Sequence, residues 1–191
     1  MPQFCLFDTA IGACALVWQG DVLIGAQLPE AEAEGARRRL LRRFPGAEDA
    51  PAPPFVAAAI ADIRGLLAGE NRDLSHLPIA LDDASPFERR VYEVALSIPP
   101  GETLTYGDVA RRLGEPGAAR AVGVALGRNP VPIIVPCHRV LAAGGRTGGF
   151  SAEGGVETKL RLLTIERART DAVPGLFDAL PLAARPRRAS A

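Results

Sequence analysis

The chain has 191 residues, 48% of them hydrophobic and none of its charge in excess, which suits one large or two small globular domains with a real core. The longest uncharged stretch near the start, residues 9–20, is too short to span a bilayer, and the opening Met-Pro-Gln-Phe-Cys lacks the positive lead of a signal peptide. Three scattered cysteines, Cys5, Cys14 and Cys137, make a poor disulfide framework, so the expectation is a cytoplasmic protein without a membrane partner.

In chain order, residues 4–7, 13–18 and 22–27 read as short strands, with Gln19-Gly20-Asp21 as a tight hairpin turn between the last two. Residues 31–43 read as a helix whose acids come first and arginines last, as the helix dipole favours. Pro45 to Pro54 is a proline-rich break, and Phe55 to Leu67 a second helix with Phe55, Ala59, Ile63 and Leu66 or Leu67 on one face, ending at Gly69. Residues 77–81 are expected to return as a strand, and 82–84 to link to a second part.

That second part opens on Ser85-Pro86-Phe87-Glu88, a capping box with proline at the first helical position. Phe87, Val91, Val94, Ala95 and Ile98 make a helical stripe that Pro99-Pro100-Gly101 ends. Another helix starts at Thr105-Tyr106 and stops at Gly114, and a third runs from Pro116 to about Leu126. Two short helices with a tight turn between them match a helix-turn-helix, or else a tightly packed helix pair. Residues 1–85 carry 7 basic against 12 acidic side chains and residues 86–170 carry 12 against 8, so the second part can offer a nucleic-acid face. The would-be recognition helix, Ala118-Ala119-Arg120-Ala121-Val122-Gly123, is poor in base-reading side chains and rich in small ones.

Residues 129–136, Asn-Pro-Val-Pro-Ile-Ile-Val-Pro, cannot be a central strand throughout and read as a rigid extended segment that delivers Cys137-His138-Arg139 to a fixed place. A cysteine is nucleophilic as the thiolate and needs a group that lowers its pKa or takes its proton. His138 is adjacent, and Glu166 on a final helix from Val156 to about Ala168 is a candidate to orient it. The alternative is a buried, inert cysteine. A tetrahedral metal site is not filled by one Cys and one His, and nothing nearby completes a hydrolase.

Pro136-Cys137-His138-Arg139, preceded by Arg120-Ala121-Val122-Gly123 and Asn129-Pro130, resembles the O6-alkylguanine-DNA alkyltransferase family. The resemblance is most specific around the cysteine and extends from about Phe87 to Glu166. It implies an α/β N-terminal domain over residues 1–84, a small antiparallel sheet with helices and ribonuclease-H-like. It further implies a mainly α domain over 85–169 with a helix-turn-helix; the Ala-, Pro- and Arg-rich composition of residues 170–191 separately predicts a flexible tail. By the same resemblance Cys137 accepts the alkyl group, and His138, through water, and Glu166 activate it. Arg120 enters the duplex in place of an extruded nucleotide, on a helix whose small residues Ala119 and Gly123 lie close to the DNA. Tyr106 contacts the flipped base and its 3′ phosphate, Asn129 braces the turn before the active-site segment, and Ser151 lies near the guanine O6. The implied partner is double-stranded DNA containing O6-alkylguanine, with O4-alkylthymine a further substrate, acted on by a monomer without metal or organic cofactor.

Two departures stand out. Phe150 occupies a place where many relatives have tyrosine, and the loop 151–155 is slightly longer than in animal relatives. Cys5, Cys14 and His76 fall short of the zinc site that some relatives carry and read as core residues and a surface histidine. Two other readings stay in view: a lesion-binding relative without transfer activity, in which the cysteine is replaced, and a helix-turn-helix regulator, which would bind DNA by sequence.

Overall fold

The computed structural model describes residues 1–30, 33–145, 147–150 and 154–168. Strands β1 (Gln3–Thr9), β2 (Gly12–Gln19) and β3 (Val22–Gln27) form an antiparallel meander. Gly20, at φ +59°, takes the left-handed conformation of the β2–β3 turn at the expected place. Helices α1 (Ala33–Arg43) and α2 (Pro54–Leu67) follow, the first with Glu34 in its opening turn and Arg42 and Arg43 in its last, the second on the predicted apolar stripe.

The sheet differs from expectation at both edges. Strand β4 (Glu48–Asp49), inside the proline-rich break, pairs parallel with β1, so the order is β3-β2-β1-β4 and the sheet is mixed rather than antiparallel throughout. Two exposed acidic residues carry no strand signal; only backbone pairing with Pro2 and Phe4 makes them one. Residues 77–81 supply only a bridge beside β3, in which Leu23 donates to Pro78 O at 2.8 Å and Ala80 donates to Leu23 O at 2.9 Å. Pro78 has no amide hydrogen to extend the ladder.

Alternation along β2 sorts the core. Ala15 and Val17 join Phe4 and Leu40 under α1, whereas Cys14, Leu16 and Trp18 face the other way with Val56 and Ile63 of α2. This second layer is continuous with Val91, Val122, Val135 and Cys137, so one apolar core runs from the sheet to the cysteine.

Helix α3 (Pro86–Leu96) has its capping box: Glu88 N donates to Ser85 Oγ at 3.3 Å and Ser85 N to Glu88 Oε2 at 2.9 Å. Its stripe buries Val91, Ala95 and Ile98, with Phe87 and Val94 at the margin; Tyr92 adds a buried hydroxyl that donates to Ala125 O at 2.9 Å. A second capping box, Thr105 with Asp108, starts α4 (Tyr106–Arg112), which packs against α5 (Ala119–Gly127). Helix α5 begins three residues later than the proline suggests, because Pro116 and Gly117 are spent in the turn. Two short parallel strands, β5 (Leu104–Thr105) and β6 (Val140–Leu141), join the start of α4 to the segment after the cysteine. Helix α6 (Val156–Ile165) ends with Glu166 as its cap.

Residues 129–136 are not extended. They fold back in a tight turn, Val135 N donating to Val131 O at 2.9 Å, with Ile133 at φ +76°. A β-branched residue in that region is strained and has to be held by its surroundings. Asn129 holds this one, its Nδ2 donating to Val135 O at 2.8 Å and its Oδ1 accepting from Val131 N at 3.0 Å.

Candidate active site

Cys137 opens a single 3-10 turn, Cys137–Arg139, set between the braced 129–136 turn and β6. Its 6% exposure faces a cavity of about 560 Å³ lined by Tyr106, Ala119, Arg120, Gly123 and Phe150. Arg120 is exposed on the outer surface of α5, one turn before Val124, a large apolar residue that is 51% exposed. Tyr106, the first residue of α4, lies across the cavity; a β-carbon at Gly148 would come within 2.9 Å of its ring, and Gly148 has φ +69°. Glycine there lets the loop pass against the tyrosine. Ser151 lies outside the described residues.

Behind the cysteine sits a buried charge network. His138 Nε2 is 2.9 Å from Glu166 Oε1, and the two side chains are 1% and 2% exposed. Arg139 grips the same carboxylate with two bonds, Nε to Oε2 at 2.9 Å and Nη2 to Oε1 at 2.8 Å, and donates from Nη1 to Ile98 O at 2.6 Å. Burial works to raise the Glu166 carboxyl, but His138 and Arg139 together outweigh it and bring it down to about 2. Burial also lowers the His138 pKa, against the pull of Glu166. An ionised Glu166 facing a neutral imidazole requires the proton on Nε2. Nδ1 is then a free acceptor, and it has no hydrogen-bond partner among the described residues.

Lys159 of α6 is fully buried, donates to Val140 O at 2.7 Å and lies 5.6 Å from the Tyr106 ring centroid. Burial drops its pKa to about 8, opposed by the attraction of a Cys137 thiolate. Burial pushes the Cys137 thiol up, while the Asn129 side chain, the Lys159 charge and the amides of Cys137 and His138 stabilise the thiolate. The Tyr106 hydroxyl is raised by burial and by Cys137, so it stays protonated as a donor.

The family model described as 6-O-methylguanine DNA methyltransferase, DNA binding domain, matches residues 86–168. A methylated-DNA–protein-cysteine methyltransferase of Mycobacterium tuberculosis is 37% identical over 179 residues, which is 93% of this chain and all of the relative. The chain belongs to this family. The Mycobacterium leprae member is 39% identical over 90% of the chain and 96% of the relative. A solved O6-methylguanine methyltransferase of M. tuberculosis superposes with a TM-score of 0.72 at 36% identity, covering 93% of this chain and all of that one. The same organism's protein in complex with DNA gives 0.72 at 34% identity, over 86% and 92% of the two chains.

Within this methyltransferase-family fold, Tyr106, Ala119, Arg120, Gly123 and Cys137 share one cavity, and His138 and Glu166 meet behind it. Asn129 braces the turn that carries the cysteine. Sequence reading missed Arg139 as the clamp on Glu166 and Lys159 altogether. A signal for Lys159 exists: Lys159, Leu162, Leu163 and Glu166 share one helical face, so a cation stands in phase with the buried stripe. Cys5 and Cys14 lie on the α2 side of the sheet, with the Cys14 thiol raised to about 12 by burial, and the exposed His76 sits 3.4 Å from Asp62.

Proposed function

We propose that this chain repairs duplex DNA by transferring the alkyl group of O6-alkylguanine to Cys137 Sγ, once per molecule. The observation that carries the reading is a buried cysteine at the floor of a cavity beneath α5, backed by an acceptor imidazole and a buried lysine. The α4–α5 pair acts as the helix-turn-helix, docking the small-residue surface of α5 against the minor groove. The target base rotates out of the stack into the cavity, and Arg120 fills the gap it leaves. Tyr106 contacts the flipped base and its 3′ phosphate, and Ser151 lies near the guanine O6. The mixed sheet with α1 and α2 on opposite faces supports a ribonuclease-H-like reading of residues 1–84, and residues 85–169 form the alkyl-transfer unit.

In the chemical step the thiol proton passes through a water to His138 Nδ1, and Glu166, held by Arg139, stabilises the imidazolium. Lys159 favours the thiolate, which attacks the alkyl carbon in line. The S–C bond forms as the C–O6 bond breaks, and the bonding pair stays with the base. Tyr106 stabilises that developing charge by hydrogen bonding. The guanine leaves with the proton the thiol gave up, and the thioether remains on the protein.

The same geometry admits O4-alkylthymine, whose alkyl oxygen is also exocyclic. One lesion engages one chain, so a monomer suffices. The test mixes the protein at half an equivalent with a duplex carrying one O6-methylguanine and follows the bases released by digestion. Conversion to guanine that stops at one half supports stoichiometric transfer. Complete conversion refutes it, and binding with no conversion points to a lesion-recognition protein.

A further inference from the structure

Among the described residues the exposed large hydrophobics are Met1 at the start of the chain, Val156 at the first position of α6, and Val124. Only Val124 stands inside a helix, and it packs against neither core cluster. A valine there gives the fold nothing that alanine would not give better, since it is the poorer helix former and leaves apolar surface in water. Its branched β-carbon holds it in essentially one rotamer on a helix, so it is a rigid knob rather than a flexible arm.

Val124 lies on the same face of α5 as Arg120, Gly123 and Gly127, and all four line the cavity above Cys137. Its glycine neighbours leave the knob standing clear: nothing lies within 4 Å of where a β-carbon at Gly127 would be. In the minor-groove docking proposed above, on which this inference rests, Arg120 fills the gap left by the flipped base. Four residues of helix rise about 6 Å. At roughly 3.4 Å per base pair, Val124 then meets the floor of the groove within about two pairs of that gap.

That floor differs with sequence. A·T pairs show only acceptors there, whereas G·C pairs add the guanine N2 amino donor, which projects into the groove. An apolar knob lies against the first without loss but covers the amino group of the second and offers it no acceptor. We propose that Val124 is a specificity-determining residue that makes repair depend on the base pairs beside the lesion, favouring those without a minor-groove amino group.

The experiment measures single-turnover methyl transfer by the full chain, at protein concentrations well below saturation. The duplexes carry O6-methylguanine flanked on each side by A·T, inosine·C or G·C pairs. Inosine·C keeps the major-groove edge of G·C and lacks the minor-groove amino group. The wild-type protein is expected to repair the A·T and inosine·C duplexes at similar rates and the G·C duplex about tenfold more slowly, the cost of one covered donor left unpaired. In Val124→Ala, which removes no core contact and suits the helix, the three rates converge. Equal rates in the wild type overturn the proposal, as does an inosine·C duplex repaired as slowly as the G·C one. A preference that persists in Val124→Ala also overturns it, because easier opening of the weaker pairs then accounts for it. Absence of methyl transfer from every duplex would sink the alkyl-transfer reading itself, whereas transfer that ignores the neighbouring pairs removes only this role of Val124.

Discussion

Glu166 does two jobs with one carboxylate: it fixes the His138 tautomer and neutralises the buried Arg139. Its folded pKa of about 2 lies below the ordinary 4.5, so its contribution to stability is complete above the ordinary value and is lost as pH falls toward 2. Glu166→Gln is therefore expected to be less stable than wild type at neutral pH, with the gap narrowing as pH drops through that window in urea titrations. The same change should slow methyl transfer by roughly 10- to 100-fold, as loss of a hydrogen-bonded support behind a reacting group does. Lys159 titrates near 8; below that it is cationic and favours the thiolate, above it the help is gone. Lys159→Met should cut transfer at pH 7 by about tenfold, as loss of a nearby charge worth about one pKa unit implies. It should also remove the inflection near 8 from the pH–rate profile. An unchanged profile would show that Lys159 is only structural.

Helices announced themselves through caps and apolar stripes, because those signals are local: Ser85-Pro86-Phe87-Glu88 and Thr105 with Asp108 became the capping boxes of α3 and α4. The pieces that depend on distant partners were silent. Strand β4 exists only because β1 runs beside it, and β5 pairs with β6 across some 35 residues of chain. The segment before the cysteine was legible as rigid but not as a turn, since the positive φ of Ile133 follows from the Asn129 bonds and not from isoleucine. Adjacency brought Cys137 and His138 into view as a nucleophile and its base, whereas Asn129, Tyr106 and Arg120 entered only through the family resemblance. Arg139 and Lys159 escaped because a buried cation looks like any other on a surface until its partner is in place. For α5, the reading of Arg120 as the group that replaces the flipped base predicts a specific loss. Arg120→Ala should slow repair in duplex DNA by about tenfold or more, given an extrusion cost of a few kcal/mol. Repair of the same lesion in a single strand, where no base pair is broken, should change much less.

At the scale of the whole molecule, the zero net charge hides an acidic first part and a basic second one. Among the described residues no helix is long and apolar enough to cross a membrane. The continuous core from Phe7 to Cys137 makes the sheet and α2 part of the support beneath the reactive turn, reinforced where Ala26 N donates to Pro130 O at 3.0 Å. Binding carried by phosphate contacts of the basic part should weaken log-linearly with salt, with a slope set by the phosphates neutralised and equal for damaged and undamaged duplex. Titrations at several salt concentrations check this, and a salt-independent affinity would contradict it. The central claim concerns one sulfur atom. Incubating equimolar protein with a duplex carrying one O6-methylguanine, then taking intact and peptide mass spectra, tests it most directly. The account predicts a single added methyl, confined to the peptide containing Cys137; a methyl on Cys5 or Cys14, or none on a protein that has restored the guanine, would contradict it.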